Sequence, residues 1–324
     1  MIIDANTHGL HGEYFEPFLK AGGKWAIQQV EEDRERALSR PEFHAPELRL
    51  KQMDRYGIDH QVVTPGHWID ADRYPGDDST KTAIAAALND NMARLMEAGN
   101  GRLHAAGTIS LLGFENGGRR EMERAVQLGL KGFTVASNIM GKPLDIFEDF
   151  WAAATEMNVP VYIHPRHPQG YEGRAYEEEY ELAQIYGWPY ETVLSLSRLV
   201  FSGIMERYPG LNIIAHHLGG GMIPFFMGRL LDGIEDKNTA EKMLDQFKLF
   251  YYDTAVGKNP AAVKMAIEIL GTERIVFATD VPWGLNSGND RLENYPKVIE
   301  SLGLPAKVNE AIFSENIRRI ISIP

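Results

Sequence analysis

The chain is expected to fold as an α/β protein, a (β/α)8 TIM barrel with inserted loops after strands 1 and 5, and three observations carry that expectation. Eight short apolar, β-branched runs recur along the 324 residues, longer amphipathic patterns separate them, and the two long inserts both leave C-terminal ends of strands. Strands covered by helices on the outside of a parallel sheet are apolar nearly throughout, as in Val-Tyr-Ile and Ile-Val-Phe-Ala. Eight strand–helix units in a chain of this length suit a barrel. A doubly wound open sheet would want a glycine-rich phosphate turn after the first strand, and none stands there.

The strands are read, in order, as Met1–Asn6, His60–Pro65, Leu103–Ser110, Leu130–Val135, Val159–His164, Leu211–His217, Lys248–Thr254 and Arg274–Asp280. The inserts are His11–Ala45 and Pro165–Trp188. Among the helices, Pro46–Tyr56 opens on a proline and stops at Gly57, with Leu48, Leu50 and Met53 between. Ser79–Ala98 sets Ile84, Leu88, Met92 and Leu95 on one stripe. Glu115–Leu128, Leu144–Met157, Tyr190–Tyr208, Pro224–Ile234, Pro260–Leu270 and Asn294–Leu302 follow. No repeat, low-complexity tract or Pro/Ser-rich linker divides the chain, so residues 1–324 are read as one barrel domain.

Composition narrows the chemistry. With 45 acidic residues against 33 basic, the net charge is −12, which disfavours nucleic acid as a partner. No apolar run approaches the roughly 20 residues that span a bilayer, and the N-terminus lacks the basic and apolar regions of a signal peptide. A soluble, cytoplasmic protein is expected. The absence of cysteine removes disulfides, thiolate nucleophiles and Cys-type metal sites together. Site chemistry must come from His, Asp, Glu, Asn and Arg.

Those residues gather at strand ends. Asp4, Asn6 and His8 close the first strand, His164 the fifth, His216 and His217 the sixth, and Asp280 the eighth. Strand alternation puts Asn6 and His8 on one side, with Cα atoms about 7 Å apart. A single histidine at a strand end is ordinarily a hydrogen-bonded structural residue. Several imidazoles and a carboxylate converging on one barrel mouth call for a compensating partner, and a divalent metal ion supplies it. His216 should point away from the mouth and pack behind the sheet.

The fragments Ile2-Ile3-Asp4, Val161-Tyr162-Ile163-His164-Pro165, Gly187-Trp188-Pro189, His217-Leu218-Gly219-Gly220-Gly221-Met222-Ile223-Pro224-Phe225 and Thr279-Asp280-Val281-Pro282-Trp283 follow one another in a telling order. Through them the chain resembles the amidohydrolase-2 family, in its branch of aminocarboxymuconate-semialdehyde and γ-resorcylate decarboxylases. The resemblance covers nearly the whole chain. It implies a distorted barrel with one divalent metal ion, Zn2+ or Mn2+. By this resemblance His8, His164 and Asp280 are metal ligands, His217 is the histidine beside the metal, and Arg229 reaches a substrate carboxylate across a dimer interface. One position departs from the pattern: Asn6 stands where the family has His or Glu, and a neutral amide oxygen is a weaker donor.

Smaller features complete the expectation. Arg166, after the fifth strand, could fork onto a substrate carboxylate or neutralise a neighbouring acid. His67 and Trp68 after the second strand and Trp283 after the eighth sit where loops line a pocket, and an aromatic wall suits a flat substrate. Phe15, Phe18 and Trp25 of the first insert read as a lid or a dimer contact. Glu177-Glu178-Glu179 reads as a solvated face, and Asp4 as an orienting residue behind the ligands. The fourth strand ends in Phe133-Thr134-Val135, with no lysine to be carbamylated for a binuclear site.

Two reactions fit one such site. In the first, a small aromatic or unsaturated carboxylic acid loses CO2 without oxidation, the proton reaching carbon from His217 or Asp280. In the second, a lactone, amide or ester is hydrolysed, with Asp280 taking a proton and His217 stabilising the oxyanion. The resemblance, Arg229 and Arg166 favour the first. A barrel without its first ligand could also be a binding protein. A homodimer or higher homo-oligomer is expected.

Overall fold

Parallel strands wound into a barrel, with helices outside, make up the computed structural model, which describes residues 1–12, 35, 38–66, 71–167 and 179–323. The strands are β1 (Ile3–His8), β2 (His60–Thr64), β3 (Leu103–Ala105), β4 (Gly107–Thr108), β5 (Phe133–Ala136), β8 (Val161–His164), β9 (Ile213–Ala215), β10 (Tyr251–Asp253) and β11 (Ile275–Val276). A short antiparallel hairpin, β6 (Asn138–Ile139) with β7 (Lys142–Pro143), stands apart from them. β3 and β4 are one barrel strand interrupted at Ala106, whose N–H donates to Val63 O at 2.9 Å while Gly107 N donates to Gly132 O at 2.9 Å. The barrel closes between its first and last strands. Ala5 N donates to Phe277 O, His8 N to Val281 O and Asp280 N to Asn6 O, at 2.8, 2.8 and 2.9 Å.

Alternation sorts the apolar side chains into two layers. Ile3, Ala5, Val62, Ala106, Tyr162, Ile214, Tyr251 and Val276 fill the inside of the barrel. Their neighbours along the strands, among them Val63, Phe133, Val161, Ile163, Ile213 and Phe277, pack outward against the helices. Ile317, Ile321 and Ile323, from the C-terminal segment, join the inner layer and plug it. Fully burying a side chain of this size contributes about 1.5–3 kcal/mol.

The helices follow the sequence reading with instructive differences. α1 (Pro46–Tyr56) ends at Gly57, whose φ of 70° is the left-handed cap a glycine supplies. α2 (Asp78–Ala98) is capped by Asp77, whose side chain accepts Thr80 N. α3 (Arg119–Gln127) and α4 (Glu148–Glu156) lie within their expected spans. The expected helix Tyr190–Tyr208 is broken at Gly203: α5 (Trp188–Phe201) precedes a short turn, Ile204–Arg207. After α6 (Met222–Asp232) comes an unexpected α7 (Lys237–Phe247), capped by Asp236. α8 (Pro260–Leu270) is as expected, and α9 (Asn289–Ser301) starts five residues before the expected Asn294. Among the described residues no helix is long and apolar enough to cross a membrane.

Most of the first insert and residues 168–178 of the second, with His67, Trp68, Phe15, Phe18, Trp25, Glu177 and Glu178, lie outside the described residues.

Candidate metal centre

β1 carries a bulge. Ile3 and Asp4 pair with His60 and Gln61, but Thr7 and His8 pair with Val63 and Thr64, so one extra residue is held between Asp4 and Thr7. Below the bulge Ile3 and Ala5 face the barrel interior. Above it His8 and Asn6 take that face.

His8 is fixed from three sides. The Thr64 hydroxyl donates to Thr7 O at 3.3 Å, so it receives the His8 Nδ1–H at 2.8 Å and leaves Nε2 as the lone-pair nitrogen. The buried Arg49 guanidinium donates to His8 O and, at 3.1 Å, to Gln61 Oε1. His8 Nε2 then stands 2.9 Å from Asp280 Oδ1, yet neither atom makes an aligned hydrogen bond, and both are buried. His164 completes the group: one ligand atom each from His8, His164 and Asp280 lies within 4.8 Å of the others. His164 Nδ1 is engaged by Pro165 O at 2.9 Å, which leaves Nε2 as the donor nitrogen. Burial first, and the neighbouring His8 and His217 second, push the His164 pKa well below the ordinary histidine range, toward the neutral form a metal needs.

Asn6 adds a fourth donor, an amide oxygen. Its Nδ2 donates to Asp253 Oδ2 at 2.9 Å, while its Oδ1 is buried without a partner. Buried polar atoms are nearly always paired. Three such orphans on three neighbouring residues, His8 Nε2, Asp280 Oδ1 and Asn6 Oδ1, with His164 beside them, are the donor set of a divalent cation, and the residues fit one.

Asp280 and His217 both occupy left-handed backbone, at φ 62° and 56°, a conformation that costs non-glycine residues about 1–3 kcal/mol. Asp280 Oδ2 accepts Arg291 Nη1 at 2.5 Å. Burial would raise the Asp280 carboxyl, but the His8 imidazole against it, His217 and the Arg291 guanidinium outweigh that and hold it well below the usual carboxylate range. Behind it, Asp4 accepts Thr279 N at 2.9 Å and the Thr279 hydroxyl, orienting the residue before Asp280. Burial, opposed by those bonds, pushes Asp4 up to about 7.

At His217 the chain leaves the strand. The Nδ1–H donates to Ala255 O at 2.8 Å, so Nε2 is the ring nitrogen left for other work. The glycines that follow let the turn close: a Cβ on Gly220, at φ 79°, would meet Pro189 O at 2.4 Å. His216, expected behind the sheet, is instead inside the barrel. Alternation from Ile214 sends it inward, where its ring lies 6.0 Å from Tyr162 and 5.4 Å from His164. The turn, not a strand, is what sends its neighbour His217 to the mouth.

A cavity of about 640 Å³ opens over this group, lined by His164, His217, Asp280, Trp188, Trp283 and Arg291 among others. Trp283 stands as expected on the wall, with its ring centroid 6.0 Å from Phe43 and the Arg40 guanidinium 4.9 Å above its face. Arg166 is buried, with its amide on Ser137 Oγ at 3.0 Å, and is not among the described lining residues. Arg229 is exposed on α6 and does not line the cavity of its own chain. His67 lies outside the described residues.

Two residues escaped the sequence reading. Asp253 ends β10, and its place at a strand end was the available signal. Arg291 lies in the first turn of α9, ahead of the expected helix start, and no sequence signal marked it.

The amidohydrolase family model matches residues 3–323. Among curated proteins, the chain is similar to 2-amino-3-carboxymuconate-6-semialdehyde decarboxylase of Dictyostelium discoideum, 27% identical over 258 residues covering 74% of this chain and 67% of that protein. It is similar to γ-resorcylate decarboxylase of Rhodococcus jostii (strain RHA1), 26% identical with coverage of 73% and 77%. Among solved structures it is similar to 5-carboxyvanillate decarboxylase LigW from Sphingomonas paucimobilis, with a TM-score of 0.82, 24% identity, and 100% and 99% of the two chains covered. The enzyme of that name from Novosphingobium aromaticivorans, complexed with manganese and 4-hydroxy-3-methoxy-5-nitrobenzoic acid, has a TM-score of 0.81 at 21% identity, covering 98% and 95%.

Proposed function

Because the chain belongs to the amidohydrolase family, we propose that it is a metal-dependent carboxy-lyase that removes CO2, without oxidation, from a small aromatic or unsaturated carboxylic acid. The observation that carries the reading is the convergence of His8, His164 and Asp280, with His8 Nε2, Asp280 Oδ1 and Asn6 Oδ1 buried and without partners, beside His217. Asn6, His8, His164 and Asp280 would hold one divalent ion, Mn2+ or Zn2+; manganese is the ion in the solved relative. When bound, the ion supplies a Lewis acid and a template for substrate oxygens.

The chain's own residues divide the remaining work. Trp188 and Trp283 wall the cavity for a flat ring. Arg291, on that wall, draws an anionic group. The bond between the ring carbon and the carboxyl carbon breaks, its electron pair stays on the ring carbon, and a proton from His217 takes the vacated place as CO2 departs. Asp280 Oδ2 is engaged by Arg291 and its Oδ1 would be given to the ion, whereas His217 keeps Nε2 for the proton. This geometry favours His217 as the donor.

The proposal extends to assembly. A homodimer or higher homo-oligomer would bring the exposed Arg229 of one chain to the substrate of another, with Arg166 and His67 as further substrate contacts. Residues 1–324 would then act as one unit in each copy, in the cytoplasm.

The test is a panel of hydroxybenzoates, heteroaromatic carboxylates and lactones, each with Mn2+ and with Zn2+, following CO2 release against ring opening. CO2 from at least one acid, in step with loss of substrate, is expected. Ring opening of a lactone with no CO2 from any acid would put hydrolysis in its place.

A further inference from the structure

Asn6 is a weak donor in a position that family resemblance gives to His or Glu, and what lies beneath it bears on how it could serve. Asp253 is buried at the end of β10, with His216 Nδ1 3.9 Å from its Oδ2. Its Oδ2 accepts Asn6 Nδ2 at 2.9 Å. Its Oδ1 accepts the backbone N–H of His217 at 2.8 Å and that of Ala255 at 2.9 Å. Ala255 in turn receives the His217 Nδ1–H. One carboxylate thus ties the first barrel strand to the turn that presents His217.

A carboxylate that already accepts two backbone N–H groups offers only acceptor oxygen to a neighbour. A primary amide meeting it must turn its NH2 that way and its carbonyl oxygen the other. That orientation leaves Oδ1 of Asn6 buried and unpartnered, on a residue whose backbone oxygen accepts Asp280 N at 2.9 Å. Nδ2–H bonded to a carboxylate also makes the amide oxygen more electron-rich, as a carboxylate behind a ligating imidazole strengthens that ligand. Resting on the metal reading above, we infer that Asp253 is the positioning residue that makes Asn6 a ligand, by holding its amide with the oxygen toward the cation and registering it against His217.

The inference separates from a general structural role through coupling. In Asp253→Asn the new side-chain NH2 faces that of Asn6, so the Asn6 amide turns over and aims its NH2 at the cation. The measurement is Mn2+ and Zn2+ affinity, by calorimetry and by competition with a chromophoric chelator, for wild type, D253N, N6A and the double variant. We expect D253N to weaken binding roughly 10–100-fold, N6A to do likewise, and the double variant to be no weaker than N6A. D253N binding as tightly as wild type, or losses that multiply in the double variant, overturns the inference alone. Wild type that takes up neither ion overturns the metal reading and this inference with it.

Should D253N fail to fold, the side-chain amide resonances of Asn6 serve instead, assigned by their disappearance in N6A. Slow exchange with solvent, and a shift when Zn2+ is added, support the inference. Exchange as fast as that of surface amides, or no response to Zn2+, overturns it.

Discussion

His217 holds its place through backbone that few residues adopt, and its ring is oriented by one bond, Nδ1–H to Ala255 O. A proton donor so fixed can be removed without disturbing the donor set beneath it. His217→Asn should lower kcat by roughly 10²–10⁴-fold, the usual worth of a positioned acid, while metal content stays at the wild-type level. Activity within threefold of wild type would remove His217 from the proton step. At this scale the sequence was most legible where residue type and strand position agreed: His8 and His164 each end a barrel strand, Asp280 follows the last one, and the structure brings the three together. It was least legible where parity decided. His216 and His217 are adjacent, and the one that faces the mouth is settled by a left-handed turn at φ 56°, which leaves no mark in residue types. Arg291 is an arginine among helical polar residues, and only the early start of α9 brings it onto Asp280.

At the scale of elements, α5 and α6 present more apolar surface than buried helices should. Tyr190, Leu194 and Phe201 form one exposed stripe on α5, and Phe225 and Phe226 stand out from α6, a turn before Arg229. Adjoining exposed aromatics of this kind mark contact surfaces. Phe225 is 69% exposed, so replacing it costs the isolated chain little. On the proposed assembly, Phe225→Glu should shift the protein from dimer to monomer in light scattering and raise KM, by withdrawing Arg229 from the partner's cavity. A wild-type protein that is monomeric at micromolar concentration would sink this assembly. The elements themselves were legible in proportion to their apolar runs. α7 was missed because Lys237–Phe247 is polar along most of its length. The hairpin β6–β7 was missed because each of its strands is two residues long, too short for any period to show.

The whole molecule has a charged mouth and a plugged base, and the base carries a titrating pair of its own. His60 Nδ1 and His104 Nε2 lie 3.1 Å apart near the N-terminal end of β2 and in β3. Burial first, then the neighbouring His60 and Lys131, bring the His104 pKa from 6.5 to about 4. Burial also lowers His60, with Arg102 and Arg318 acting the same way and Asp59 against. Both rings are therefore neutral in the folded chain at pH 7. A histidine lowered by folding stabilises fully above its unfolded pKa of 6.5 and loses that contribution as pH falls toward about 4. Between pH 6.5 and 5 the His104 share is on the order of 2 kcal/mol. Urea unfolding of the metal-free protein at pH 7, 6 and 5 should show this fall in wild type and a shallower one in His104→Leu. Equal slopes in the two proteins would exclude the pair as the cause.

The bulge in β1 has one more consequence. Ile3 and Ala5 serve the oily interior and Asn6 and His8 serve the mouth, from a single strand of six residues. Both duties fall on the inward side only because the bulge adds one residue between Asp4 and Thr7. Shortening that stretch by one would swing an imidazole and an amide into the hydrocarbon packing outside the wall. The opening of this chain can therefore exchange letters more readily than it can change its length.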